Sequence, residues 1–158
     1  MASAPPDLAP DRLLGTLAFK ENAGVTDVSD ATANPPPGAQ LLGREWLGFD
    51  EAGQALIRFQ AQPAFTNRHG TVQGGFLAAM LDSATGVCAL ATLSPDVTVV
   101  TKSLETRFLK PAAVGPITAR ARMIEQTGRD MVVQAELVDA EGITVADATA
   151  RLRILAKK

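Results

Sequence analysis

The sequence predicts an α+β domain in which a curved antiparallel sheet wraps around one long central helix. Three observations carry this. Residues 73–93 form one helical candidate that is apolar or small at nearly every position. Two strand-like runs precede it and four follow it. The later runs alternate apolar and polar residues with period two, the pattern of a sheet with one wet face.

Before the helix, 41–49 and 54–60 read as two extended runs joined by a turn at Asp50-Glu51-Ala52-Gly53. Ala55, Ile57 and Phe59 alternate with Leu56, Arg58 and Gln60, and Pro63 ends the run. Gly74-Gly75 opens the helix and Ser94-Pro95 closes it. A helix apolar all round is a buried helix, so this one is expected to be the spine of the fold.

The first run after it, 97–109, is rich in Val, Thr and Phe and is followed by Pro111 and Gly115-Pro116. Ile117, Ala119, Ala121 and Met123 share one face of the second. Met131, Val133, Ala135 and Leu137 share one face of the third, and Ala146, Ala148, Ala150, Leu152 and Ile154 one face of the last. Hairpin turns at Thr127-Gly128-Arg129-Asp130 and Asp139-Ala140-Glu141-Gly142 join them.

Residues 1–38 hold six of the ten prolines and read as an irregular arm. Within it, Asp11 is placed to cap a short helix carrying Leu13, Leu14, Leu17 and Ala18. The folded domain is then 39–158.

A chain of 158 residues fits one domain with a sizeable core. With 15 Lys and Arg against 17 Asp and Glu, it offers no broad cationic face, so no nucleic-acid partner is expected. The longest apolar stretch begins with two glycines and is broken by Asp82, so no membrane partner is expected either. One cysteine, Cys88, permits no intrachain disulfide, and without a visible leader the expected location is cytoplasmic. Cys88 sits in an apolar run and reads as an inert buried thiol. A single histidine, His69, is too few for a zinc site, so no metal is expected.

Asp82 is the only charged residue of the helix. A lone buried carboxylate is expensive, and its neighbours at three and four residues (Ala78, Ala79, Thr85, Gly86) are small enough to leave room for a ligand. The alternative is a structural Asp satisfied by Thr85 or by strand donors. Gly74-Gly75 is the second feature, because a helix start exposes unpaired N–H groups suited to an oxyanion; a plain glycine-rich helix entry is its alternative. Eight residues separate Gly74 from Asp82, about 12 Å at 1.5 Å per residue. One reacting carbon can be gripped by both only if they come from different subunits, so a symmetric homodimer with two interface sites is expected.

The run Asn67-Arg68-His69-Gly70-Thr71-Val72-Gln73-Gly74-Gly75-Phe76-Leu77-Ala78-Ala79-Met80-Leu81-Asp82 resembles the signature of hotdog-fold acyl-CoA thioesterases of the phenylacetate-pathway and hydroxybenzoyl-CoA type. Asn67, Gly70, Gly74, Gly75 and Asp82 fall in register with it. Phe108-Leu109-Lys110-Pro111 followed by Gly115, and the Gly128-Arg129 hairpin, are similar to later family features. Gln73 stands where the family has histidine.

The resemblance implies a hotdog fold, an acyl-CoA substrate hydrolysed to free acid and CoA, no cofactor, and dimers that pair into tetramers. It implies that the Gly74 N–H polarises the thioester carbonyl and that Asp82 of the facing subunit is nucleophile or general base. Asn67 would position the attacking water or stabilise the partner of Asp82, with Gln73, Gly75 and Thr101 in support; an ordinary strand role is the alternative for Thr101. Lys102, Arg107, Lys110 and Arg129 read as solvated strand charges and are not assigned to CoA phosphates. Other readings are a non-catalytic acyl-CoA-binding protein, a hydratase or dehydratase, and a structural protein. The second needs a histidine beside the acid, and the helix has none.

Overall fold

The computed structural model describes residues 34–158. The expected Asp11-capped helix lies outside the described residues. The elements run α1 (Pro37–Leu41), β1 (Glu45–Phe49), β2 (Ala55–Ala61), a 3-10 turn (Pro63–Phe65), α2 (Gly74–Thr92), β3 (Val97–Phe108), β4 (Gly115–Thr127), β5 (Asp130–Val138) and β6 (Thr144–Ala156). The six strands form one antiparallel sheet in the order β1-β2-β4-β5-β6-β3. Helix α2 packs against β2, β3, β4, β5 and β6. This is the hotdog architecture.

The sequence places α2 within one residue at each end. It misplaces the start of β1. Pro37 begins a helix instead of prolonging an extended arm, because proline at the first helical position lacks only an N–H that would go unpaired. Leu42 then turns inward, 6% exposed. Gly43 follows with φ +62°, and a Cβ there would lie 2.9 Å from Cβ of Gln60. Only glycine lets the chain pass β2 so closely.

Strand register explains how the sheet accepts the helix. Ala55 faces Ala121, Ala121 faces Ala135, and Ala135 faces Ala148 across four adjacent strands. This row of alanines makes a trough. Larger side chains flank it: Ile57, Phe59, Ile117 and Leu137 on one side, Met131, Val133 and Leu152 on the other, all buried. Into it α2 presses Leu77, Met80, Leu81, Ala84, Val87 and Cys88.

The expectation that α2 is buried all round is corrected. Its sheet-facing side is buried, but Gly75, Ala79 and Asp82 are exposed, and Ala78 and Gly86 are half-buried. The sheet covers only one side, and the other carries residues with little apolar area to hide. By length and composition α2 is apolar enough to cross a membrane, yet half of it is buried within this domain.

Strand β3 is a sheet edge, and one irregularity governs it. Thr101 pairs with Leu152 and Ser103 with Arg151, so Lys102 is an extra residue in the ladder, a bulge. Before it, Val99 and Thr101 oppose the inward residues Ile154 and Leu152; after it, Leu104, Thr106 and Phe108 oppose the inward Ala150, Ala148 and Ala146. Without the extra residue, positions 101 and 108, an odd number apart, would face opposite sides.

Leu81 is fully buried between α2 and the sheet. Leu81→Ala is expected to lower unfolding free energy by about 2–5 kcal/mol, read from urea denaturation.

Candidate active site

The loop before α2 is built by Asn67. Its Oδ1 accepts the His69 N–H at 2.9 Å and the Thr71 N–H at 3.3 Å, and its Nδ2 donates to Thr71 Oγ1 at 3.0 Å. Gly70 completes the turn at φ +78°. The Val72 N–H then donates to the carbonyl of Ala112, and the Gln73 N–H to that of Phe65. These bonds fix the point at which α2 begins. Asn67 thus holds the loop that delivers the helix start, and its side chain is engaged there. The signal was available in the sequence, since Asn ahead of His-Gly-Thr is the composition of a side-chain-closed turn.

Gln73 is the N-cap of α2, and its side chain makes no capping bond. Its carbonyl accepts from the N–H groups of Phe76 and Leu77. Among the described residues, the N–H groups of Gly74 and Gly75 donate to no protein acceptor. They are the donors that a helix leaves over at its start, at the positive end of its dipole.

The two glycines differ. Among the described residues a Cβ at Gly75 would meet nothing within 4 Å, whereas one at Gly74 would lie 3.2 Å from Cε1 and Cζ of Phe108. Phe108, at the end of β3, therefore rests its ring against the helix start while remaining 56% exposed. Phe65 and Phe76 stack in parallel nearby in sequence, centroids 4.2 Å apart at 8°. Phe108 has no assigned role in the sequence reading, because its inward direction depends on the bulge at Lys102.

Asp82 lies on the open side of α2 and is exposed within the single chain, not buried. One Oδ accepts a hydrogen bond from Thr101 Oγ1 at 2.7 Å. The proposed alternative partner, Thr85, is turned away: its hydroxyl donates to the carbonyls of Leu81 and Asp82 at 2.9 and 3.0 Å. The structure thus joins Thr101 to Asp82, which lies about 12 Å along the helix from Gly74. Next to Asp82, Ser83 accepts a hydrogen bond from Arg44 at 3.0 Å, a contact that joins the segment before β1 to the helix. Burial pulls the Arg44 guanidinium below its usual range.

Of the unassigned bases, Lys102 pairs with Asp130 at 3.4 Å and Arg107 with Asp147. Arg153 also reaches Asp130, at 2.9 Å, and the two cations hold that carboxyl below its ordinary range against the opposing effect of desolvation. Cys88 is 1% exposed, and burial pushes its thiol up to about 12. It is a packing residue.

The profile of the thioesterase superfamily matches residues 69–146. A candidate esterase of Saccharolobus solfataricus is 32% identical over 108 residues, 68% of this chain and 76% of that protein. An uncharacterized acyl-CoA thioester hydrolase of Zymomonas mobilis is 38% identical over 87 residues, 54% of this chain and 57% of that protein. Among solved structures, a candidate thioesterase related to phenylacetic acid degradation from Ralstonia eutropha superposes with a TM-score of 0.71. It shares 33% identity, and the match covers 92% of this chain and 98% of that one. The chain belongs to the hotdog-fold thioesterase superfamily. Its general class of activity is thioester hydrolysis.

Two outcomes are expected for Cys88. The native protein does not react with a thiol reagent at neutral pH, whereas the unfolded chain titrates as one thiol. Because its folded pKa lies above the unfolded value of about 8.5, its contribution to stability is complete below that pH. It is lost as pH rises toward 12. Cys88→Ala removes that part of the alkaline slope in denaturation curves recorded between pH 8 and 11.

Proposed function

We infer that this protein hydrolyses an acyl-CoA thioester to the free acid and CoA, at two sites shared between the subunits of a homodimer. The observation that carries the reading is the presence on one helix of an unbonded amide at Gly74 and an exposed, threonine-held carboxylate at Asp82. The Zymomonas mobilis relative supports the substrate class by its name. The 12 Å between the two groups supports the shared site, since a second copy related by a two-fold axis supplies an Asp82 to each Gly74. An open edge of 12 residues on β3, the exposed small residues Gly75 and Ala79 and the half-buried Gly86 suit such a contact.

In this reading the thioester oxygen accepts the Gly74 N–H, which stabilises the negative charge that develops on attack. The Asp82 carboxylate of the other subunit either takes a proton from the attacking water or adds to the carbonyl carbon itself. The C–S bond breaks and the CoA sulfur leaves, taking up a proton; in the second route water then cleaves the resulting anhydride. Thr101 orients the carboxylate and Asn67 orients the helix start, both as positioning residues. Gly75 leaves space before the amides, and Gln73 supports the loop. The location we infer is cytoplasmic. A second reading, a protein that binds acyl-CoA without cleaving it, draws on Gln73, whose side chain makes no bond to the helix start it caps.

Release of free thiol from a panel of acyl-CoAs decides between these. Turnover by the wild type that drops about a hundredfold in Asp82→Asn, with the same sedimentation profile, supports the enzyme. No hydrolysis of any acyl-CoA, or full activity in Asp82→Asn, returns the protein to the binding reading.

Co-expression of Asp82→Asn with Gly74→Val is expected to restore about a quarter of wild-type activity through mixed dimers, each with one intact site. No recovery despite mixed dimers would sink the shared site. Thr101→Val is expected to lower kcat about tenfold and Thr101→Ser to regain most of it, since only the hydroxyl is required.

A further inference from the structure

We propose that Phe108 is the specificity-determining residue beside the thioester, where its ring selects against acyl groups branched at the carbon next to the carbonyl. This deepens the reading above and rests on the Gly74 amide being the carbonyl's hydrogen-bond donor.

The argument begins with Gly74. Its φ is not in the left-handed region, so backbone conformation does not require glycine there. Space does: a Cβ would lie 3.2 Å from two ring carbons of Phe108, closer than ordinary van der Waals contact. At a helix start both the Cα–Cβ direction and the N–H lean toward the helix N-terminus. The ring that closes the Cβ position therefore also flanks whatever accepts the N–H. An acceptor oxygen sits about 2.9 Å from the nitrogen, which brings the carbonyl carbon into the reach of the same ring.

That carbon bears two substituents, the sulfur and the acyl chain. Phe108 is apolar, and the other aromatic residues around the helix entry are Phe65 and Phe76. The apolar substituent therefore belongs on this side, with its first carbon against the ring. A methylene slides past a flat ring; a methyl branch there needs the space that Gly74 itself is denied. The ring is 56% exposed and ends a strand, so it is present as a wall without being part of the packed core.

The test compares kcat/KM for butanoyl-CoA and 2-methylpropanoyl-CoA in the wild type, Phe108→Ala and Phe108→Leu. If another chain is turned over faster, the same unbranched and α-methyl pair is built on it. The wild type is expected to favour the unbranched substrate. Phe108→Ala is expected to raise the branched-to-unbranched ratio at least tenfold, and Phe108→Leu to raise it less.

A ratio unchanged within twofold in Phe108→Ala overturns the proposal, whatever happens to total activity, because loss of folded enzyme scales both substrates alike. If the wild type cleaves no thioester, the enzymatic reading fails separately. The proposal is then judged on binding of the two ketone analogues in which a methylene replaces the sulfur. There Phe108→Ala must narrow the difference in Kd by the same factor, and an unchanged difference overturns it.

Discussion

The structure depends on how closely one helix can approach one sheet. Four alanines aligned across β2, β4, β5 and β6 set that distance, since a larger residue in any of these places would hold the helix off the strands. The side chains of α2 reach past this row to the larger residues on either side of it. Alanine has no side-chain rotamers to freeze, so this floor is ordered at little entropic expense. Once the helix is seated, the position of its first turn follows, and with it the two amides at Gly74 and Gly75. Loop bonds from Asn67, Val72 and Gln73 then hold that end in place.

The same seating exposes the other face. A carboxylate on the sheet side of α2 would be buried without water, whereas on the open side Asp82 is exposed and accepts a hydrogen bond from Thr101. The helix therefore differs by direction: apolar packing toward the sheet, an exposed carboxylate away from it. The small residues around Asp82 belong to that second side. They keep the approach to the carboxylate clear.

Much of this was legible in the sequence because each feature had a local cause. The helix ends were marked by Gly74-Gly75 and Ser94-Pro95, and the strands after it by strict alternation. The carboxylate was visible as the lone charge in an apolar run. Features that depend on several elements at once were not. Proline read as a breaker at 35–37 proved to be a starter, because position within the first turn decides which it is. The exposure of Asp82 depends on which side of α2 the sheet covers, and composition does not report that. The contact between Gly74 and Phe108 joins residues 34 positions apart through a strand whose phase changes midway.

That change of phase places an unusual demand on β3. A strand tolerates many residues at each position provided that alternation is kept, but here the number of residues between Thr101 and Phe108 matters as much as their kind. Lys102 contributes a backbone increment that turns both ends of the strand toward the same helix. Removing one residue from this stretch would leave the sheet able to pair while turning one of the two ends outward. The strand thus works as a ruler: its length encodes the alignment between Thr101 beside Asp82 and Phe108 beside Gly74, and substitution can revise its residues more freely than deletion or insertion can revise its count.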